Sequence, residues 1–229
     1  MSASPYPILG EVIAPMRGRE KFFEELCHHL TKSTPDHICV VGPRWFGKSV
    51  ILKHLASHFK DSGDHYVTSL YWDLRHITPR TDEEFWRRFA ERIKGALEPA
   101  QPELAEYIEM EDSEDLHIVF DEMQRKGLRF LAVLDGFDHL LAGSDITRNL
   151  WDEMRYLGQM TSLRFVTGSR RRLRELCMTE ESRTSDFWEI FYDTPKEVRC
   201  FEESDWNGFL DPFKQRGVTF DSSAHKEIV

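Results

Sequence analysis

Gly42, Gly47, Lys48 and Ser49 stand in the order G-x-x-x-x-G-K-S within the stretch GPRWFGKS. Together these residue types are suited to holding phosphate. The glycines let backbone N–H groups curl around phosphate oxygens, the lysine places a point charge on the β- and γ-phosphates, and the serine hydroxyl offers a ligand to Mg²⁺. Such a loop needs a strand to aim it and a helix N-terminus to add its dipole. Both flanks are legible. Ile38 to Val41 is a short apolar run with the β-branching of a buried strand, and Leu52, Leu55, Ala56 and Phe59 fall at i, i+3, i+4 and i+7 on one helix face. The pattern predicts a site for ATP or ADP with Mg²⁺, formed by Gly42, Pro43, Arg44, Trp45, Phe46, Gly47, Lys48, Ser49 and Val50.

A second chemical stretch, RFLAVLDGFDHL, begins at Arg129. Its apolar run ends in Asp135, about ninety residues after the phosphate loop, and an acid at the tip of a buried strand is the Walker B arrangement that holds Mg²⁺. Ser49 and Asp135 are therefore the expected metal-facing residues. Asp138, three residues on, is read either as a contributor or as a cap of the next turn. A third strand, LRFVTGSR, ends in Gly168-Ser169-Arg170. In a parallel sheet its tip points to the γ-phosphate, so Arg170 is a candidate sensor, with an ordinary basic helix start as the alternative. The expected catalytic set is Lys48, Asp135, Asp138 and Arg170.

Composition narrows the class. With 40% apolar and 12% aromatic residues in 229, the chain has the makings of a globular core. No apolar run approaches the roughly 18 residues of a membrane span, and MSASPYPILGEVIAP lacks the basic start and apolar middle of a signal peptide. Cys27, Cys39, Cys177 and Cys200 are scattered, with no C-x-x-C, and Cys39 reads as a small buried hydrophobe. These features predict a soluble cytoplasmic protein. The net charge of −10 is concentrated in residues 98–122, which hold ten Asp or Glu and no Lys or Arg. That run reads as a solvated helical face, and charge gives no sign of nucleic-acid binding beyond Arg170, Arg171, Arg172 and Arg174.

The remaining elements must carry these residues. Phe22, Phe23, Leu26, Cys27 and Leu30 predict a helix ahead of the first strand, with His28 and His29 on its surface. His54 and His58 are also four apart but lack the Glu of a metalloprotease motif. Residues 65–74 alternate as a second strand. Thr81 with Asp82, Glu83 and Glu84 starts a long amphipathic helix, and two shorter helices follow, ending near Gly127. Residues 146–160 form another helix and 196–201 a fifth strand. From Glu202 onward the pattern predicts one short helix, a turn at Gly217, and a second helix after Asp221.

With MRGREKFF, GPRWFGKS, VLDGFDHL, FVTGSR and KEVRCFEESDW in this order, the chain resembles the AAA+-like STAND ATPases, the signal-transduction ATPases with numerous domains. The origin-recognition ATPases are their close cousins. The resemblance implies an α/β three-layer P-loop NTPase sandwich with a mostly parallel five-stranded sheet over residues 1–201, and the beginning of a helical lid over 202–229. It places Met16, Arg17 and Gly18 near the adenine. Trp45 and Phe46, large residues in a loop whose phosphate contacts come from backbone, are expected to pack against the lid or the N-terminal segment. In that family the residue after the Walker B Asp is commonly acidic; here it is Gly136, so binding is better supported than hydrolysis. The lid stops early, so the chain is expected to be a fragment, or to need self-association or a protein partner to complete its core. The resulting expectation is a nucleotide-dependent switch with slow ATP hydrolysis, of a kind often serving bacterial signalling or defence. A DNA-associated ATPase of origin-recognition or transposition type and a non-hydrolysing scaffold are the alternatives. A kinase would need phosphoacceptor-site features that are not visible.

Overall fold

The computed structural model describes residues 13–60, 65–109, 113–141, 145–177, 186–191 and 195–219. Five strands, β1 (Ile38–Val41), β2 (Thr68–Asp73), β3 (Phe130–Asp135), β4 (Leu163–Ser169) and β5 (Lys196–Glu197), form one sheet in the order β2-β3-β4-β1-β5. Every pairing is parallel. Parallel neighbours need long crossovers, and the helices between the strands provide them. They are α2 (Lys48–Lys60), α3 (Asp82–Leu97), α4 (Pro102–Ala105), α5 (Glu114–Arg125), α6 (Phe137–Leu140), α7 (Arg148–Gln159) and α8 (Leu173–Cys177), with a 3₁₀ turn at Phe187–Ile190 before β5; α1 (Glu20–Thr31) precedes β1 and α9 (Glu203–Gln215) follows β5.

The period-two alternation of the strands splits the interior into two cores. On one face Ile38, Val40, Leu131, Val133 and Val166 meet Leu26 and Leu30 of α1 and Leu52, Leu55 and Phe59 of α2. On the other, Cys39, Val41, Trp72, Leu134 and Phe165 meet Phe85 and Phe89 of α3, Phe120 of α5 and Met154 of α7. Because α1 and α2 cover one face and the long α3, α5 and α7 the other, the architecture is the expected three-layer α/β sandwich. Thr81 caps α3 by accepting from the Glu84 N–H at 3.2 Å, as its sequence predicts.

Three elements differ from expectation. β2 begins at Thr68, after His65. β5 is limited to Lys196–Glu197: Val198 N–H still donates to Val41 O at 2.7 Å, but the ladder's next donor on the β1 side falls at Pro43, which has no N–H. α9 is a full helix rather than a short one, because Glu202 and Asp205 make a reciprocal capping box and the helix runs through Pro212 to Gln215. The turn at Gly217 is present, with φ +79°. The helix expected after Asp221 lies outside the described residues, as does Cys177's side chain.

His29 is not a free surface residue: its Nδ1 lies 2.7 Å from Asp36 Oδ2. His54 Nε2 donates to Ala14 O at 2.8 Å, fastening the N-terminal segment across α2. Cys39 is buried, as expected. Among the described residues no cluster of His, Cys, Asp or Glu could hold a metal by itself, and no helix is long and apolar enough to cross a membrane.

Candidate nucleotide-binding site

β1 runs straight into the glycine-rich loop. Gly42 N–H donates to Ser169 O at 3.3 Å, continuing the ladder with β4 for one residue. An added Cβ at Gly42 would lie 2.7 Å from Val198 O, so the close approach of the β5 chain requires glycine there. The loop turns with Trp45 at φ 73° and Gly47 at φ +84°. Gly47 O then accepts from Val50 N–H (3.0 Å) and Ile51 N–H (3.1 Å), which starts α2. A left-handed residue three positions after the first glycine, followed by a helix start, aims backbone donors into the loop's concavity.

Lys48 folds back over the loop, donating from Nζ to the carbonyl oxygens of Gly42 (2.6 Å) and Pro43 (2.7 Å). Partial burial lowers its pKa, while the charges of Asp135 and Asp138 act to raise it. Ser49 and Val50 occupy the first turn of α2. Phe46 packs on the α1–α2 core together with Met16, close to its expected role. Trp45 does not pack as expected: it is 79% exposed, with the Arg44 guanidinium 5.0 Å from its ring centre.

The second acid stands on the tip of β3. Asp135 is 2% exposed and pairs in register with Gly168 of β4 and Asp73 of β2. Its Oδ2 accepts from Tyr71 OH at 2.8 Å and from Arg75 NH2 at 2.9 Å. Arg75 is itself clamped on Asp73, by Nε to Oδ1 at 2.7 Å and NH2 to Oδ2 at 2.6 Å. The bond to Asp73 is the main cause of the raised Arg75 pKa, and burial followed by Asp135's charge raises that of the Tyr71 hydroxyl. Gly136, φ +71°, leaves room for this arginine: an added Cβ would lie 2.5 Å from Arg75 Cγ.

Asp138 is on α6 and 7% exposed, and the N-cap position of that helix belongs to Gly136. Its Oδ2 accepts from Arg170 Nε at 2.5 Å. Three cations (Lys48, Arg75, Arg170) thus balance three carboxylates (Asp73, Asp135, Asp138) around the mouth of the loop. Met16, Arg17 and Gly18 run ahead of α1. Gly18, φ +67°, is buried where a Cβ would lie 2.8 Å from Asp205 O, and the neighbouring Arg19 guanidinium covers the Phe201 ring at 4.1 Å. Arg17 is exposed. The segment therefore lies between the core that holds Phe46 and the first turn of α9.

The structure brings Lys48, Asp135, Asp138 and Arg170 near one another at the C-terminal edge of the parallel sheet, where open α/β sheets place ligands. It adds Tyr71, Asp73 and Arg75. Their only sequence signal is an Asp-Leu-Arg at a strand end, which gains meaning once β2 is known to lie beside β3. The oxygens of Ser49 and Asp135 are the donor type Mg²⁺ takes, but Asp135 Oδ2 is already filled by Arg75 and Tyr71, so the cation reaches that oxygen only if Arg75 withdraws.

No protein-family model and no curated protein sequence matches this chain. Solved structures do. The ORC2 protein of Aeropyrum pernix (ADPNP–ADP complexes) aligns over 87% of this chain and 52% of its own at 11% identity, TM-score 0.62. A Walker-type ATPase of Pyrococcus abyssi aligns over 91% and 61% at 15% identity, TM-score 0.61. The Aeropyrum pernix ORC1 protein in complex with DNA aligns over 88% and 50% at 15% identity, TM-score 0.56. The chain spans about half to three-fifths of the length of these three proteins. At such identities the likeness is one of architecture: the chain has the parallel, five-stranded α/β fold of the P-loop NTPases.

Proposed function

We propose that this chain binds ATP and ADP at the Gly42–Val50 loop and acts as a nucleotide-dependent switch whose hydrolysis is slow. The observation that carries the proposal is the convergence of the loop, Lys48 and the tips of β3 and β4 on one mouth. On binding, phosphate oxygens replace the Gly42 and Pro43 carbonyls as partners of Lys48 Nζ, and the loop N–H groups with the α2 N-terminus take the remaining negative charge. Met16, Arg17 and Gly18 border the base. Ser49 and Asp135 would hold Mg²⁺, which when bound neutralises phosphate charge. Turnover is slow because the position after Asp135 carries no carboxylate to polarise water. α9 begins the lid, and its contact with Gly18 and Arg19 links base occupancy to the lid's position.

The DNA-associated alternative has one observation in its favour: the ORC1 structure aligned above is a complex with DNA. Against it, the basic cluster is partly spent, with Arg170 on Asp138 and Arg172 on Glu197 at 2.8 Å. A DNA mobility shift that weakens steeply with salt would favour this second reading.

The deciding experiment measures ATP binding and phosphate release together on wild type and Lys48→Ala. A charged hydrogen bond to phosphate is worth ~1.5–3 kcal/mol, so the variant is expected to bind roughly ten- to a hundredfold more weakly. Exposed Trp45 is a fluorescence reporter at the loop. Unchanged affinity in Lys48→Ala overturns the site; binding without release makes the chain a nucleotide-binding scaffold.

A further inference from the structure

Arg75 lies where the fold expects a metal ion to approach. It enters from β2, is fixed by Asp73 through two side-chain bonds and its own N–H (3.0 Å to Asp73 Oδ1), and reaches across to Asp135. Two donors, the Arg75 guanidinium and the Tyr71 hydroxyl, fill the lone pairs of Asp135 Oδ2. A carboxylate with 3% of its side chain exposed needs a compensating cation, and this one already has it. The sequence makes room for the arrangement. Any side chain at Gly136 would strike Arg75 Cγ, so the glycine that replaces the usual acid is also what admits the arginine.

We propose that Arg75 is a resident cation of the nucleotide site, compensating the Asp135 carboxylate as a bound Mg²⁺ would. The proposal rests on the nucleotide-site reading above. Nucleotide binds with Arg75 in place and without the divalent ion. Mg²⁺ reaches Asp135 Oδ2 only by displacing an arginine that keeps 41% of its side chain exposed and so has a path into solvent. The site is then gated by exchange of a side-chain cation for a metal, and Asp73 sets how tightly the gate is held.

The test is equilibrium binding of ATP and of ADP to the whole chain, with excess Mg²⁺ and with EDTA. In wild type the affinities under the two conditions are expected to agree within about threefold, under 1 kcal/mol. In Arg75→Gln, metal-free binding is expected to weaken by roughly tenfold or more, with Mg²⁺ restoring it, since the buried carboxylate then needs another cation. A readout without nucleotide accompanies it: Mg²⁺ alone raises the unfolding temperature of Arg75→Gln but leaves wild type unmoved. Loss of wild-type binding in EDTA overturns the proposal even if the variant fails to fold. Absence of binding under both conditions overturns the nucleotide-site reading instead.

Discussion

Gly168 on β4 stands beside Asp135 on β3 in the parallel register, and a Cβ at Gly168 would lie 2.9 Å from Asp135 Oδ1 and 2.5 Å from Leu52 Cδ1. The glycine therefore keeps open the space that the Asp135 carboxylate uses, between the sheet and the first turns of the helix after the phosphate loop. Gly168→Ala overpacks this point, and the expected loss is ~1–3 kcal/mol, read as a lower urea midpoint. Because the same methyl presses on Asp135, nucleotide affinity falls with it. A variant as stable as wild type would mean that Leu52 yields freely and that Asp135 is not confined.

Arg170 gives its Nε to Asp138 at 2.5 Å and senses a γ-phosphate if its terminal N–H groups reach one. If it does so, Arg170→Ala removes one charged hydrogen bond from the ATP complex and none from the ADP complex. The ratio of ATP to ADP affinity is then expected to drop roughly tenfold, with ADP affinity little changed. Competition binding of the two nucleotides measures it. Equal losses for both would return Arg170 to a structural partner of Asp138.

His37 gives a pH dependence far from the loop. Its ring is buried between β1 and β4, with Nε2 donating to Gly158 O at 2.7 Å and Nδ1 accepting from Phe165 N–H at 2.9 Å. Burial, with Arg164 nearby, pushes its pKa from the ordinary 6.5 down to about 3, against smaller opposing effects of Gly158 O and Asp36. Between those values the unfolded chain takes up a proton that the folded one refuses. Stability from this residue is therefore complete above about pH 6.5 and falls as the solution is acidified, by up to ~1.4 kcal/mol per pH unit. Asp36, held below its usual range by His29 and Lys32 against its own burial, acts only at lower pH. Urea unfolding at pH 7 and pH 5 is expected to show a smaller drop in His37→Gln than in wild type, by ~2 kcal/mol over the 1.5 units below 6.5. Equal drops would place the acid sensitivity elsewhere.

Much of the site was legible because its signals are local. A phosphate loop is a contiguous run between one strand and one helix, so GPRWFGKS carries its own geometry, and FLAVLD announces a buried strand ending in an acid. The helices were readable for the same reason: Thr81's cap and the apolar spacing of α1, α3 and α7 lie within a turn or two of one another. Short-range pattern was a poorer guide where tertiary contacts intervene. β5 ends early because the β1 chain beside it turns into the loop at Pro43, which has no N–H to give, and Trp45 stays exposed although its size suggested packing.

The sequence by itself determined a phosphate loop, an acidic strand tip and a parallel α/β sheet to hold them, since each follows from residue types a few positions apart. Only the tertiary structure decided that β2 lies next to β3, and with that, that Arg75 meets Asp135 across sixty positions of chain. Strand order is set by which apolar faces and backbone ladders satisfy one another over long crossovers, and no local spacing encodes it. The meaning of Gly136 changed accordingly. In the sequence it is a missing carboxylate; in the fold it is the space that an arginine fills.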